Sequence, residues 1–186
     1  SRWSHARTAE VIEASRERVV PACPFAALCG GCPWASLTYE AQARAKRSEI
    51  VSNLARIGRM GAEAAEKLVS PLVCPSEPWG YRNKVELAVS RERGRIVLGM
   101  HGHGERDVVR VKSCMLLDKA HAGAVKSVAG ALSYLAGSHD LDLERVGIRV
   151  SRRTRDVEVA LWDRPGAFPR AQVAKVLADA LRPTSV

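Results

Sequence analysis

From Asn83 onward the chain alternates. Val85, Leu87 and Val89 stand between Lys84, Glu86 and Ala88, the period of a strand with one face buried. Arg91-Glu-Arg-Gly94 reads as a hairpin turn, and Arg95 to Met100 as the returning strand. A glycine-rich loop, Gly99 to Gly104, leads to a third strand over Asp107 to Val111. Two more strands, Arg145 to Val150 and Asp156 to Trp162, flank a turn at Arg152–Arg155. Between these hairpins the period changes to that of a helix. Val125, Val128, Leu132 and Leu135 share one face of a segment predicted helical from Leu116 to Leu135. Val173, Val176, Leu177 and Leu181 do so over Ala171 to Leu181.

The first half has a different rhythm. Thr8 to Ala14 reads as a short strand. Tyr39 to Arg59 reads as a helix, with Ile50, Leu54 and Ile57 at i, i+4 and i+7, Thr38 as N-cap and Gly58 near its stop. Ala62 to Leu68 adds a shorter helix, and the prolines of Pro75-Ser-Glu-Pro78 break the chain. Hairpins bunched together with helices between the bunches predict an α+β fold, with an antiparallel sheet and packed helices.

Composition narrows the function classes. Apolar residues make up 46% of 186, enough for a core. Lys and Arg outnumber Asp and Glu by 29 to 20, a net charge of +9. That excess favours a polyanionic partner, nucleic acid above all, although a solvated basic surface gives the same count. No apolar run approaches the ~18 residues of a membrane span, and the polar, basic start lacks the apolar stretch of a signal peptide. The cytoplasm is the expected compartment, with no membrane partner, and a first residue other than Met suits a processed or excised piece.

In the cytosol five cysteines read as ligands or free thiols rather than disulfides. Three of them, Cys23, Cys29 and Cys32, fall in Cys-Pro-Phe-Ala-Ala-Leu-Cys-Gly-Gly-Cys. A loop bent at Gly30 and Gly31 can turn all three to one point. The spacing is close to that of plant-type iron–sulfur proteins. Cys114, after the third strand, is the candidate fourth ligand, and Cys74 reads as an ordinary thiol. Four thiolates suit either zinc or a [4Fe–4S] cluster. The pattern therefore predicts a Cys-rich cluster-binding loop and leaves the metal open.

Cys23-Pro-x4-Cys-Gly-Gly-Cys32, then Tyr39-x-x-Gln42, then Trp79-Gly-Tyr-Arg-Asn-Lys84, then Cys114 before a Leu-rich segment, form an ordered set. Over about residues 8 to 181 this set resembles the iron–sulfur uracil-C5 RNA methyltransferase family, which methylates uridines of ribosomal or transfer RNA with S-adenosylmethionine. The resemblance implies Cys23, Cys29, Cys32 and Cys114 as ligands of a [4Fe–4S] cluster, and gives Cys74 no counterpart. It implies that residues 1–20 are the exit strand and linker of an OB-type RNA-binding barrel, 21–70 the iron–sulfur loop and helix, and 71–186 a central α+β RNA-recognition domain. Members carry a Rossmann-like catalytic domain with the S-adenosylmethionine loop, a nucleophilic cysteine that attacks carbon 6 and a general base. No segment here fits those roles, so that domain and its cofactor site are expected to be absent, and the chain alone inactive.

For RNA contact the candidates are Arg82, Lys84, Arg91, Arg93 and Arg95 on the first hairpin and its entry, and Arg152, Arg153 and Arg155 at the second turn. Guanidinium groups on hairpin tips reach phosphates, and the bland alternative is solubilising charge. Trp79 and Tyr81 could stack on a base or simply pack. His101 and His103 could touch a 2′-OH, hold a metal or stand exposed. The expected partner is RNA, rRNA rather than tRNA, bound by a monomer. The rival readings are a non-enzymatic RNA-binding protein with a structural Zn(Cys)4 site and an electron-transfer protein.

Overall fold

The computed structural model describes residues 8–74, 77–103, 107–154 and 156–181. The chain divides into two compact units, one of residues 8–21 and 34–74, the other of residues 22–33 and those from 77 to 181.

The second unit is built on five strands: β1 (Lys84–Glu92), β2 (Arg95–His101), β3 (Val108–Arg110), β4 (Leu143–Val150) and β5 (Val157–Asp163). They pair antiparallel throughout, in the order β3-β2-β1-β4-β5. The period-two pattern decides the faces. Val85 pairs with Ile148 and Leu87 with Val146, and these four are at most 2% exposed. Helices α3 (Ala124–Leu135) and α4 (Arg170–Leu181) contribute Val125, Val128, Leu132, Val173 and Leu177 to the same core. Each such side chain contributes about 1.5–3 kcal/mol when fully buried. The Ser133 hydroxyl, at 2.8 Å, donates to the Ile96 carbonyl and ties α3 to β2. The α+β fold with an antiparallel sheet and packed helices is the one the hydrophobic pattern predicts.

Helix α3 begins at Ala124 rather than near Leu116. Residues 116–123 are claimed by other bonds. Leu117 bridges to Arg82, and the Asp118 carboxylate accepts from Ala120 N–H at 3.1 Å, capping a single 3-10 turn over Lys119–His121.

In the first unit, α1 (Tyr39–Arg56) packs with α2 (Ala62–Leu68). Thr38 caps α1, accepting from Ala41 N–H at 3.3 Å. Arg47 pairs with Glu66 and donates to the Val69 carbonyl at 2.7 Å. The helix stops three residues short of the expected Arg59, which takes φ +52°. The predicted apolar face is not a core: Ile57 is 78% exposed, and Ala41 is the buried residue of α1. Residues 8–14 form no strand, since none pairs with them among the described residues, and Ile12 is 95% exposed.

Leu132→Ala is expected to lower the unfolding free energy by about 2–5 kcal/mol. Tyr134→Ala, at a position 75% exposed on the same helix, stays within about 0.5 kcal/mol. Urea unfolding of both variants checks the assignment of the buried face.

Candidate nucleic-acid interface and the thiol pocket

The cysteine loop is held by backbone. Cys29 bridges to Gly102 beyond the end of β2, and Gly30 N–H donates to the His101 carbonyl at 2.9 Å. A Cβ on Gly30 would lie 2.8 Å from the Gly102 carbonyl oxygen, so only glycine admits this approach. The His103 ring nitrogen Nε2 lies 3.2 Å from the Ala26 carbonyl oxygen. The histidine pair thus anchors this loop, through the backbone of one residue and the ring of the other. Gly104 and Arg155 lie outside the described residues.

Cys23, Cys29, Cys32 and Cys114 line one cavity of about 60 Å³ with Phe25, Met100 and other apolar groups. Burial pushes the Cys32 thiol above its ordinary value, Cys114, Cys29 and Cys23 push the same way, and Arg82 pulls it back. Cys29 Sγ accepts from Gly31 N–H at 3.4 Å, and Cys114 packs against the hydrophobic core.

The expected metal centre is not found. Among the described residues no group of three or more His, Cys, Asp or Glu could hold a metal ion. A cluster-binding loop, a [4Fe–4S] cofactor on Cys23, Cys29, Cys32 and Cys114, and the Zn(Cys)4 alternative are all overturned by this finding, and with them the iron–sulfur and metal-binding terms of the reading. The physical reason lies in protonation and packing. Metal ligation needs thiolates, whereas burial of Cys32 favours its neutral thiol. Cys74 is exposed.

The candidate RNA residues are scattered by the fold. Arg82 lines the thiol cavity, with its guanidinium 6.0 Å from the Tyr81 ring centroid. Trp79 lines the same cavity. Lys84 pairs with Glu86 at 2.5 Å. Arg91 turns away from the hairpin tip, donates to the Leu141 carbonyl at 2.6 Å and sits 3.8 Å from Asp140. Arg152 pairs with Asp118 at 2.9 Å. Arg93, at φ +49° in the β1–β2 turn, and Arg153, in the β4–β5 turn, have no ion-pair partner among the described residues. A groove of about 640 Å³ beside the second turn is lined by Asn83, Arg149, Ser151, Arg152, Arg153 and Glu158 among others.

Reading the hairpins as tips misses the face opposite the helices. Register places Lys84, Arg149 and Glu158 on one rung there and Ala88, Arg145 and Trp162 on another. The Arg145 guanidinium lies 4.0 Å from the Trp162 ring centroid. Lys84 first, by its hydrogen bond, and Arg145 too hold the Glu86 carboxyl below its ordinary value, against some desolvation. The alternation Arg145-x-Gly147-x-Arg149 and Glu158-x-Ala160-x-Trp162 is the sequence signal for this face.

No family model matches the chain. Curated relatives do. An uncharacterised RNA methyltransferase of Chlorobaculum tepidum is 32% identical, over 86% of this chain and 37% of its own length. The 23S rRNA (uracil(1939)-C(5))-methyltransferase RlmD of Alkalilimnicola ehrlichii is 30% identical, over 94% of this chain and 36% of its own length. An uncharacterised RNA methyltransferase of Thermosynechococcus vestitus is 29% identical, over 86% and 35%. The crystal structure of the Pyrococcus abyssi tRNA (uracil-54, C5)-methyltransferase with S-adenosyl-L-homocysteine shares the fold. Its TM-score is 0.59 at 20% identity, covering 86% of this chain and 35% of that one. The chain spans little more than a third of the length of the curated relatives it matches. Over that span it is a family-level match to RNA uracil-C5 methyltransferases.

The raised Cys32 thiol fixes a pH dependence. Below the ordinary thiol value of 9.0, both folded and unfolded chains keep the proton. Above it the unfolded chain loses the proton first, so stability falls as pH rises toward the folded-state value. Urea midpoints from neutral to alkaline pH should show this fall, with a shallower slope in Cys32→Ala.

Proposed function

We propose that this chain is the RNA-binding portion of an S-adenosylmethionine-dependent RNA uracil-C5 methyltransferase, acting on rRNA in the cytoplasm as a monomer. The sequence match to RlmD of A. ehrlichii, which runs over 94% of this chain, is the observation that carries the reading. A net charge of +9 supports it. So do the arginines at the hairpin turns, since guanidinium groups pair with phosphate in two-point contacts. In this reading residues 1–20 lead from an OB-type barrel, 21–70 form the cysteine loop and following helix, and 71–186 recognise RNA.

Arg82, Lys84, Arg91, Arg93, Arg152 and Arg153 are the proposed phosphate contacts. They differ in what binding costs. Arg93 and Arg153, which have no ion-pair partner among the described residues, meet a phosphate without giving one up. Arg152 must loosen from Asp118, Lys84 from Glu86, and Arg91 from the Leu141 carbonyl. The bound RNA would present a splayed-out uridine to a catalytic domain. That domain corresponds to the part of the relatives outside the matched span, and supplies the S-adenosylmethionine site and the chemistry. No helix of the described residues is long and apolar enough to cross a membrane.

Titration of structured rRNA fragments at several salt concentrations tests the reading. Log affinity should fall steeply with log salt, and Arg93→Ala and Arg153→Ala should each flatten the slope by about 0.7–0.9. Unchanged slopes in both variants would return these arginines to plain surface charge. The 186-residue chain should transfer no tritiated methyl group from S-adenosylmethionine to RNA, and detectable transfer would refute the division of labour.

A further inference from the structure

The face of the sheet turned away from α3 and α4 holds an arrangement that core packing does not require. Over β1, β4 and β5 this face is open: the side chains of Lys84, Glu86, Arg145, Arg149 and Glu158 are 36–61% exposed. Its middle is nearly bare of side chains, with Glu86 opposite Gly147 and Gly147 opposite Ala160. Into that space leans Trp162. A Cβ on Gly147 would lie 3.1 Å from one ring carbon of Trp162 and 3.2 Å from another. The indole therefore lies down on the Gly147 backbone. Arg145, directly across from it, places its guanidinium 4.0 Å from the ring centroid, and Glu86 accepts from Arg145 at 3.0 Å.

Three features distinguish this from an ordinary surface arginine. The guanidinium plane is pinned by an aromatic ring and a carboxylate together. It shares the Glu86 carboxylate with Lys84, and a guanidinium held flat against a ring is suited to the face of a base. Further basic groups lie elsewhere, Lys84 beside Glu86 and Arg149 beside Glu158. Four residues along the strands, about 13–14 Å away, Lys84 and Arg149 lie opposite each other. Beside them opens the groove that Arg149, Ser151 and Arg153 help to line. A planar site and a basic groove thus lie along one pair of strands.

We propose that Arg145 and Trp162 form a stacking platform for an unpaired RNA base, with the groove at Arg149, Ser151 and Arg153 taking the flanking phosphates. This rests on the RNA-binding reading and adds to it the part of the ligand that is read: a single-stranded base, held by its face. Stacking of this kind accepts any base and contributes about 1–3 kcal/mol per base. The Glu86 carboxylate, bonded to Arg145, disfavours a phosphate directly over the platform, whereas Glu158 stands on the rung of Arg149 and lines the groove beside Arg152 and Arg153.

The experiment compares two probes at low salt with the full chain. One is a short oligouridylate, the other an abasic ribose-phosphate oligomer of the same length and charge. The wild-type chain should bind oligouridylate about tenfold more tightly than the abasic oligomer. Trp162→Ala and Arg145→Lys should bring that ratio close to one with abasic binding unchanged, Arg145→Lys because it keeps the charge and loses the plane. Arg153→Ala should weaken both probes and keep the ratio. Urea unfolding confirms that the variants fold, and Arg145→Lys, at an exposed site, carries the test if Trp162→Ala does not. A wild-type ratio near one, or a ratio that survives in Arg145→Lys, overturns the platform while RNA binding stands. Failure of the wild-type chain to bind either probe or structured rRNA fragments overturns the RNA-binding reading itself.

Discussion

The antiparallel register of β1 against β4 is the constraint on which the second unit depends. Val85 opposite Ile148 and Leu87 opposite Val146 send four apolar side chains to the helices. The same register sends Lys84, Arg149 and Arg145 to the other side. Side chains alternate with a period of two, so a slip of one residue would exchange the faces, burying arginines and exposing valines. Burial of the apolar set thus fixes the polar set as well. The basic face is a consequence of the core.

The cysteine loop depends on the sheet in a different way. It is held by backbone contacts at the end of β2, where Gly30 meets the His101 carbonyl. Its thiols then fall around a cavity walled by Phe25 and Met100. Proximity of four sulfurs and a place to hold a metal are separate requirements. For Cys23, Cys29 and Cys32 the first follows from glycine spacing and one close backbone approach, and the segment after β3 brings in Cys114. The second needs thiolates in a suitable arrangement, and burial works against ionisation of Cys32.

Charge at the hairpin turns illustrates how sequence proximity misleads about availability. Arg91 and Arg93 are two residues apart, yet one is tied to the Leu141 carbonyl and the other stands at a left-handed turn position with no ion-pair partner among the described residues. Arg152 and Arg153 divide in the same manner, one on Asp118 and one free among the described residues. For surface charges in water such pairs contribute little to stability. They matter because they decide which guanidinium groups can meet a phosphate without first giving up a partner.

The sequence by itself determined what periodicity determines: the two hairpins, the buried stripe of α3, the α4 face and the antiparallel α+β class. Local capping was also legible, since Thr38 caps α1. Tertiary structure decided the rest, because those outcomes depend on residues far apart in the chain. Leu117 bridges to Arg82 and so delays the start of α3 to Ala124. Residues 8–14 have strand-like composition, but a strand exists only where a partner pairs with it. The face of Ile50, Leu54 and Ile57 is amphipathic in sequence, yet only Ala41 of that helix is buried. The cysteine spacing fixes which thiols can meet and leaves their ionisation to the walls around them. Arg145 and Trp162 are seventeen residues apart in the chain, and only the β4–β5 pairing sets one against the other.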